Sequence, residues 1–340
     1  MAYISFQPSD YFNTVAWTGT ASSPLNVTGY GFQPDWVWNK YRAGAGDHQV
    51  YDSVRTATKM IIPNSSNAES TNANGVTAFI TDGYTVGSDL NVNGGNSVGW
   101  GWKAGTTSGL SGGTITPTAY SIDSARGFGI YQTTGTGSAG TIAHGLGKVP
   151  KVIISHRTSH TGSWVVYHEG IGNAHELYLN QTDAASTASA TWNSTTPTST
   201  VWSVGADQNN TSGYTIISYV FAPVTGFSNM GKYKGNGSAH GPFIHTGFKP
   251  AWLLVKRTDS AGYEWVIMDN KRSPSNQMDK WLYPNSNAGE DSNGALDFCS
   301  NGFKVRQNHS YFNASGATYV FMAFAEHPFV ASNGDPATAR

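Results

Sequence analysis

Four short landmarks recur in one order three times along this chain, and that recurrence limits its architecture more than any other feature. The first is Gly-x-x-Pro opening an apolar run: Gly31-Phe32-Gln33-Pro34-Asp35-Trp36, Gly147-Lys148-Val149-Pro150-Lys151-Val152 and Gly247-Phe248-Lys249-Pro250-Ala251-Trp252. Apolar pairs follow (Val37-Trp38, Ile153-Ile154, Leu253-Leu254), then basic residues: Lys40 and Arg42, His156 and Arg157, Lys256 and Arg257. The second landmark is a short strand-like run, His48-Gln49-Val50-Tyr51-Asp52, Trp164-Val165-Val166-Tyr167-His168 and Trp265-Val266-Ile267-Met268-Asp269. The third ends in asparagine: Ile61-Ile62-Pro63-Asn64, Leu177-Tyr178-Leu179-Asn180 and Leu282-Tyr283-Pro284-Asn285. The fourth is rich in aromatics, within 97–102, 214–221 and 318–324. The period is about 100 residues, the size of a β-sandwich domain.

Runs of Val, Ile, Trp, Tyr and Phe bounded by Gly, Asn, Ser and Asp read as strands and turns. Pro34, Pro150 and Pro250 stand at strand starts, where a missing N–H costs no ladder bond. Helical periodicity is absent apart from a single turn across 269–278. Hydrophobic residues make up 38% and charged residues only 12% of the 340, while 40 glycines supply turns. An aromatic share of 13% excludes a disordered chain. The expected fold is all-β: three tandem β-sandwich, jelly-roll-like units of one internal repeat. Their bounds are 1–105, 128–225 and 226–330, with the first as a docking unit. The Gly/Ser/Thr-rich segment 106–127 reads as a flexible linker or a long ordered loop, and 331–340 as a loose tail.

A net charge of −1 disfavours nucleic acid as a partner. The lone Cys299 sits in an apolar run, so it reads as buried rather than nucleophilic. The opening Met-Ala-Tyr-Ile-Ser-Phe lacks the basic and apolar regions of a signal peptide. No run approaches the ~20 apolar residues of a membrane helix, so membrane insertion is not expected.

No nucleophile elbow and no phosphate-cradling loop occur. Glu169 with Glu176, or Glu290 with Asp291, are the carboxylates a glycoside hydrolase would need, yet neither pair recurs in the other units. Half of the ten histidines fall in the second unit, at His144, His156, His160, His168 and His175. Their spacing matches no metal motif, and unrelated strand-end histidines are the favoured reading. Asp52 with Arg55 and Asp269 with Arg272 occupy matching places and read as exposed turn-closing ion pairs. Tyr3, Tyr11, Tyr41, Trp192, Tyr233, Tyr263, Tyr283 and Tyr311 are loop aromatics able to stack on sugar rings, although core packing is favoured for most. No catalytic, cofactor-binding or metal-binding residue is therefore assigned, and no cofactor is expected.

The segments Gly31–Trp38, His144–Ile154, Gly235–Phe243, Gly247–Trp252 and Met322–Phe329 resemble a repeated β-rich domain of tail-fibre and virion proteins of tailed phages, especially marine ones. The resemblance implies a non-enzymatic virion structural protein exposed on the particle exterior, foremost a tail-fibre or host-attachment component. Capsid decoration, a head fibre or a glycan-binding module are the alternatives, with a polysaccharide depolymerase the least favoured. It further implies other virion proteins as partners, a host surface glycan as receptor, and a homo-oligomer with a trimer favoured.

Overall fold

Strand-forming runs separated by turn residues fold into antiparallel sheets throughout the computed structural model, which describes residues 4–328. Three large sheets share one four-strand order. In the first, Phe12–Thr18, Asn96–Trp102, Trp36–Tyr41 and His48–Asp52 lie side by side. In the second the order is Phe128–Thr134, Thr215–Phe221, Val152–Arg157 and Val165–His168. In the third it is Ser228–Lys234, Thr318–Pro328, Phe248–Arg257 and Val266–Asp269. The aromatic fourth landmark thus forms a central strand each time, beside the strand opened by the proline landmark.

A smaller sheet covers the outer face of each large one. It comprises Leu25–Thr28, Gly83–Val86 and Val76–Ile80 in the first unit, and Gly140–Ala143 with Val201–Val204 in the second. Four strands between Phe243 and Val305 serve the third. Each sheet pair encloses its own apolar cluster, so the architecture is an all-β sandwich. In the first, Tyr30 and Tyr84 press so close to the central strand that a Cβ on Gly99 would lie 2.0 Å from the Tyr84 hydroxyl. Only glycine fits there.

The opposite faces of the three large sheets meet one another. Because strand side chains alternate, Trp36, Trp38, Trp100 and Trp102 all point inward. They join Phe128, Ile154, Tyr219, Phe221, Trp252, Leu254, Met322 and Phe324 in one shared core. Trp102, Phe221 and Phe324 hold the same register, opposite Trp36, Val152 and Trp252 respectively. Their ring centroids form a triangle with sides of 6.5, 5.6 and 6.0 Å.

The segment 106–127 is ordered rather than a flexible linker. Ala119–Asp123 adds a strand beside Phe128–Thr134, and Ile115 and Ile122 are buried. Those two isoleucines supply the anchors that the surrounding Gly, Ser and Thr lack. Residues 270–277 are turns between strands, with one helical i→i+4 bond from the Ser273 N–H to the Asp269 carbonyl at 3.2 Å. Tyr3 and the tail 331–340 lie outside the described residues.

Candidate functional site

The Asp–Arg pairs expected at exposed turns are instead buried where one sandwich meets the next. Arg55 Nε donates to Asp52 at 2.7 Å and Arg272 Nε to Asp269 at 2.5 Å, with all four side chains at most 1% exposed. Each aspartate also accepts a bond from the neighbouring sheet: Tyr219 Oη donates to Asp52 at 2.7 Å, and Trp100 Nε1 to Asp269 at 3.0 Å. In the second unit His168 takes that place, its Nε2 donating to the Phe321 carbonyl at 3.1 Å. First reaches second, second reaches third, and third reaches first, closing a ring.

The other landmarks serve the same seams. Asn64, Asn180 and Asn285 each accept from the backbone N–H of His48, Trp164 and Trp265 at 2.8–3.0 Å. The rings of those three residues reach the carbonyls of Tyr283, Ile62 and Tyr178, each in a neighbouring unit. Lys40, His156 and Lys256, buried at matching positions, donate to the carbonyls of Asn287, Asn67 and Thr182.

The second-unit histidines do not converge. His144 is buried and bonded to the Thr198 carbonyl, His156 and His168 lie in different seams, His160 stacks on Tyr214 at 3.6 Å, and His175 lies half-buried on its strand. Among the described residues no three His, Cys, Asp or Glu side chains are grouped to hold a metal.

Burial lowers both His156 and His168 to about 4. An unfolded histidine titrates near 6.5. The folded state thus takes up fewer protons between those values, and stability is full above pH 6.5 and lost as pH falls toward 4. Urea unfolding is expected to show a loss of about 2 kcal/mol per histidine between pH 7 and pH 5. A flat profile over that interval would contradict the burial of neutral imidazoles.

The nominated carboxylates are engaged. Glu169 is exposed and pairs with Lys151 at 3.2 Å. Glu176 is buried, accepts from Tyr178 Oη and Thr191 Oγ1, and is raised by burial. Glu290 is clamped by Arg42 at 2.7 Å and Arg272 at 3.0 Å, while Asp291 accepts from Tyr283 Oη at 2.8 Å. Half-buried Cys299 has its thiol pushed up by burial, which keeps it protonated.

The aromatics divide sharply. Trp192 and Tyr233 are core residues, and the ring of Tyr11 is covered by the Arg126 guanidinium at 3.6 Å. Tyr41 is half-buried against the turns at glycines 44, 46 and 95. Tyr263, Tyr283 and Tyr311 come together on the third sandwich, although 48 residues separate the outer two in sequence (311 − 263). Tyr311 meets each of the others edge-on with centroids 6.1 Å apart. Trp281 and His309 support it from beneath, at 6.4 and 4.7 Å. Arg257 covers Tyr263 at 4.3 Å, Asp291 holds the Tyr283 hydroxyl, and Glu264 accepts from Asn285. Burial first, then Glu264 and Asp291, raise Tyr311, which leaves its phenol protonated as a donor. All three tyrosines are half-buried, and the patch gathers their phenols with two carboxylates on one part of the third sandwich.

The chain is thus an all-β protein whose three sheet pairs close around a shared aromatic core. It belongs to the family described as a domain of unknown function, DUF7483, whose model matches residues 7–328 and so takes in all three sandwiches. No curated protein and no solved structure matches the chain.

Proposed function

We propose that this protein is a non-enzymatic, surface-exposed component of a phage particle, foremost a tail-fibre or attachment protein, that engages a host glycan through Tyr263, Tyr283 and Tyr311. The observation that carries the reading is the convergence of these three rings with Asp291 and Glu264. A pyranose presents an apolar C–H face to an aromatic ring, and its hydroxyls bond to phenols and carboxylates. The shared core and bonded seams supply the rigid mount such a patch needs. Residence on a particle rests on the resemblance carried by the proline landmarks. Copies gathered as a homo-oligomer, with a trimer favoured, multiply weak single contacts.

Purified protein is expected to bind host surface polysaccharide, with affinity falling about tenfold in Tyr311→Ala and unchanged in Tyr214→Ala on the second sandwich. Equal loss in both variants, or none in Tyr311→Ala, would remove the patch from the reading. Polymer length should stay constant during incubation; shortening would favour a depolymerase. Labelled antibody on intact particles separates tail from head, and density on the capsid would favour a decoration protein.

A further inference from the structure

The three seams are built alike but filled differently, and the difference identifies a site. At the seam of third and first sandwiches, Glu290 N–H donates to the Arg42 carbonyl at 2.9 Å. The Arg42 guanidinium then crosses to the Glu290 carboxylate through two bonds of 2.7 Å, from Nε and from Nη2. Arg272 braces the same carboxylate at 3.0 Å. The seam of first and second sandwiches repeats this frame: Glu69 N–H donates to the Thr158 carbonyl at 2.9 Å, and Arg55 braces Glu69 at 3.1 Å. Threonine replaces Arg42 there. A cavity of about 390 Å³ opens in that place, lined by Arg55, Glu69, Gln132, Thr158, Ser159 and Thr215, with Val54 at its side. The remaining seam places Ala185 opposite Thr258 and so has no carboxylate to satisfy.

We infer that this cavity binds a guanidinium group, the arginine side chain of a partner polypeptide, in the manner that Arg42 binds Glu290 within the chain. A carboxylate hydrogen-bonded on Oε2 by Arg55, with no hydrogen bond on Oε1 among the described residues, suits a planar two-pronged donor. Besides Arg55, the cation facing Glu69 is Lys59, whose Nζ is 3.7 Å away and whose side chain is 40% exposed. That separation exceeds hydrogen-bond distance, so Lys59 screens the carboxylate without occupying it. Gln132 lines the site with a side-chain amide oxygen able to accept a further guanidinium N–H, while Ser159 Oγ already accepts from the Thr215 N–H at 2.9 Å and bonds His160 Nδ1. The site lies on the first and second sandwiches and does not depend on the glycan patch of the third.

The test is calorimetric titration of the full chain with N-acetyl-arginine methylamide, beside its citrulline and lysine counterparts. Saturable binding of the arginine compound is expected, at least about tenfold tighter than citrulline, which has the same shape without the charge. Glu69→Gln should abolish it, and Lys59→Ala should tighten it. Thr158→Arg should block it and raise the melting temperature, because the introduced side chain fills the cavity from within. Free arginine binding more tightly than the blocked compound would overturn a polypeptide source. No saturable binding by a folded wild-type protein, or binding unchanged in Glu69→Gln, would overturn the site altogether.

Discussion

Arg272→Ala is expected to cost about 3–5 kcal/mol, seen as a lower urea midpoint at unchanged slope. The loss comes from what remains behind. Asp269 would stay fully buried with no cation beside it, its charge met only by neutral N–H donors from Trp100 and from the backbone of residues 271 and 272, and Glu290 would lose one of its two arginines. Asp52 and Arg55 have the same geometry, so Arg55→Ala should behave alike. Arg257→Ala removes a pair whose aspartate side chain is 36% exposed, and should cost under about 1 kcal/mol. The second unit shows that the charge is dispensable when both partners change, since His168 and Ile171 stand where Asp and Arg stand elsewhere. The double variant Asp269→His/Arg272→Ile should therefore lose less than Arg272→Ala alone. Equal losses for the buried and the exposed arginine would refute the seam assignment.

Trp102→Ala should be comparably damaging, at about 3–5 kcal/mol, because it empties the position where three sheets meet. Its ring contacts Trp36 at 4.3 Å, Phe12 at 4.9 Å and both Trp252 and Phe324 at 5.6 Å. Trp102→Phe should cost only about 1 kcal/mol despite the smaller ring. Two observations support that asymmetry. The buried Trp102 Nε1 has no hydrogen-bond partner, so removing it forfeits no bond. The matching positions in the other sheets are Phe221 and Phe324, so this junction already accommodates phenylalanine twice. A Phe variant as unstable as the Ala variant would mean that the indole N–H matters more than its surroundings indicate.

The landmark residues were legible because each marks a local necessity. Pro34 and Pro150 stand two residues before strands, whereas Pro250 lies inside Phe248–Arg257 at a break in register where its missing N–H costs no ladder bond, and the aromatic runs form central strands whose alternation is visible in Tyr319–Phe324. What no short window reveals is which side chain crosses to another sheet. Asp52 and Arg55 look like an ordinary exposed turn pair, and their burial depends on Tyr219, which is 167 positions from Asp52. The asparagines closing the third landmark were visible as a pattern, but their role as acceptors at each seam was not. The tyrosine patch was hidden for a similar reason. Tyr263, Tyr283 and Tyr311 were only three aromatics among eight, and turn geometry alone gathers them. In 106–127 composition left a flexible linker and an ordered loop both open, and two isoleucines among many small polar residues suffice to anchor the segment.

The stacking of Phe12 on Phe324, with centroids 5.0 Å apart, joins residues near the two ends of the described chain. A seam of that kind cannot form until Phe324 has been synthesised, so the growing polypeptide carries exposed tryptophan-rich flanks until then. Contacts at such sequence separation also slow refolding, because loop closure comes before any reward. Once sealed, the same arrangement resists fraying, because neither flank can peel away without breaking two seams at once.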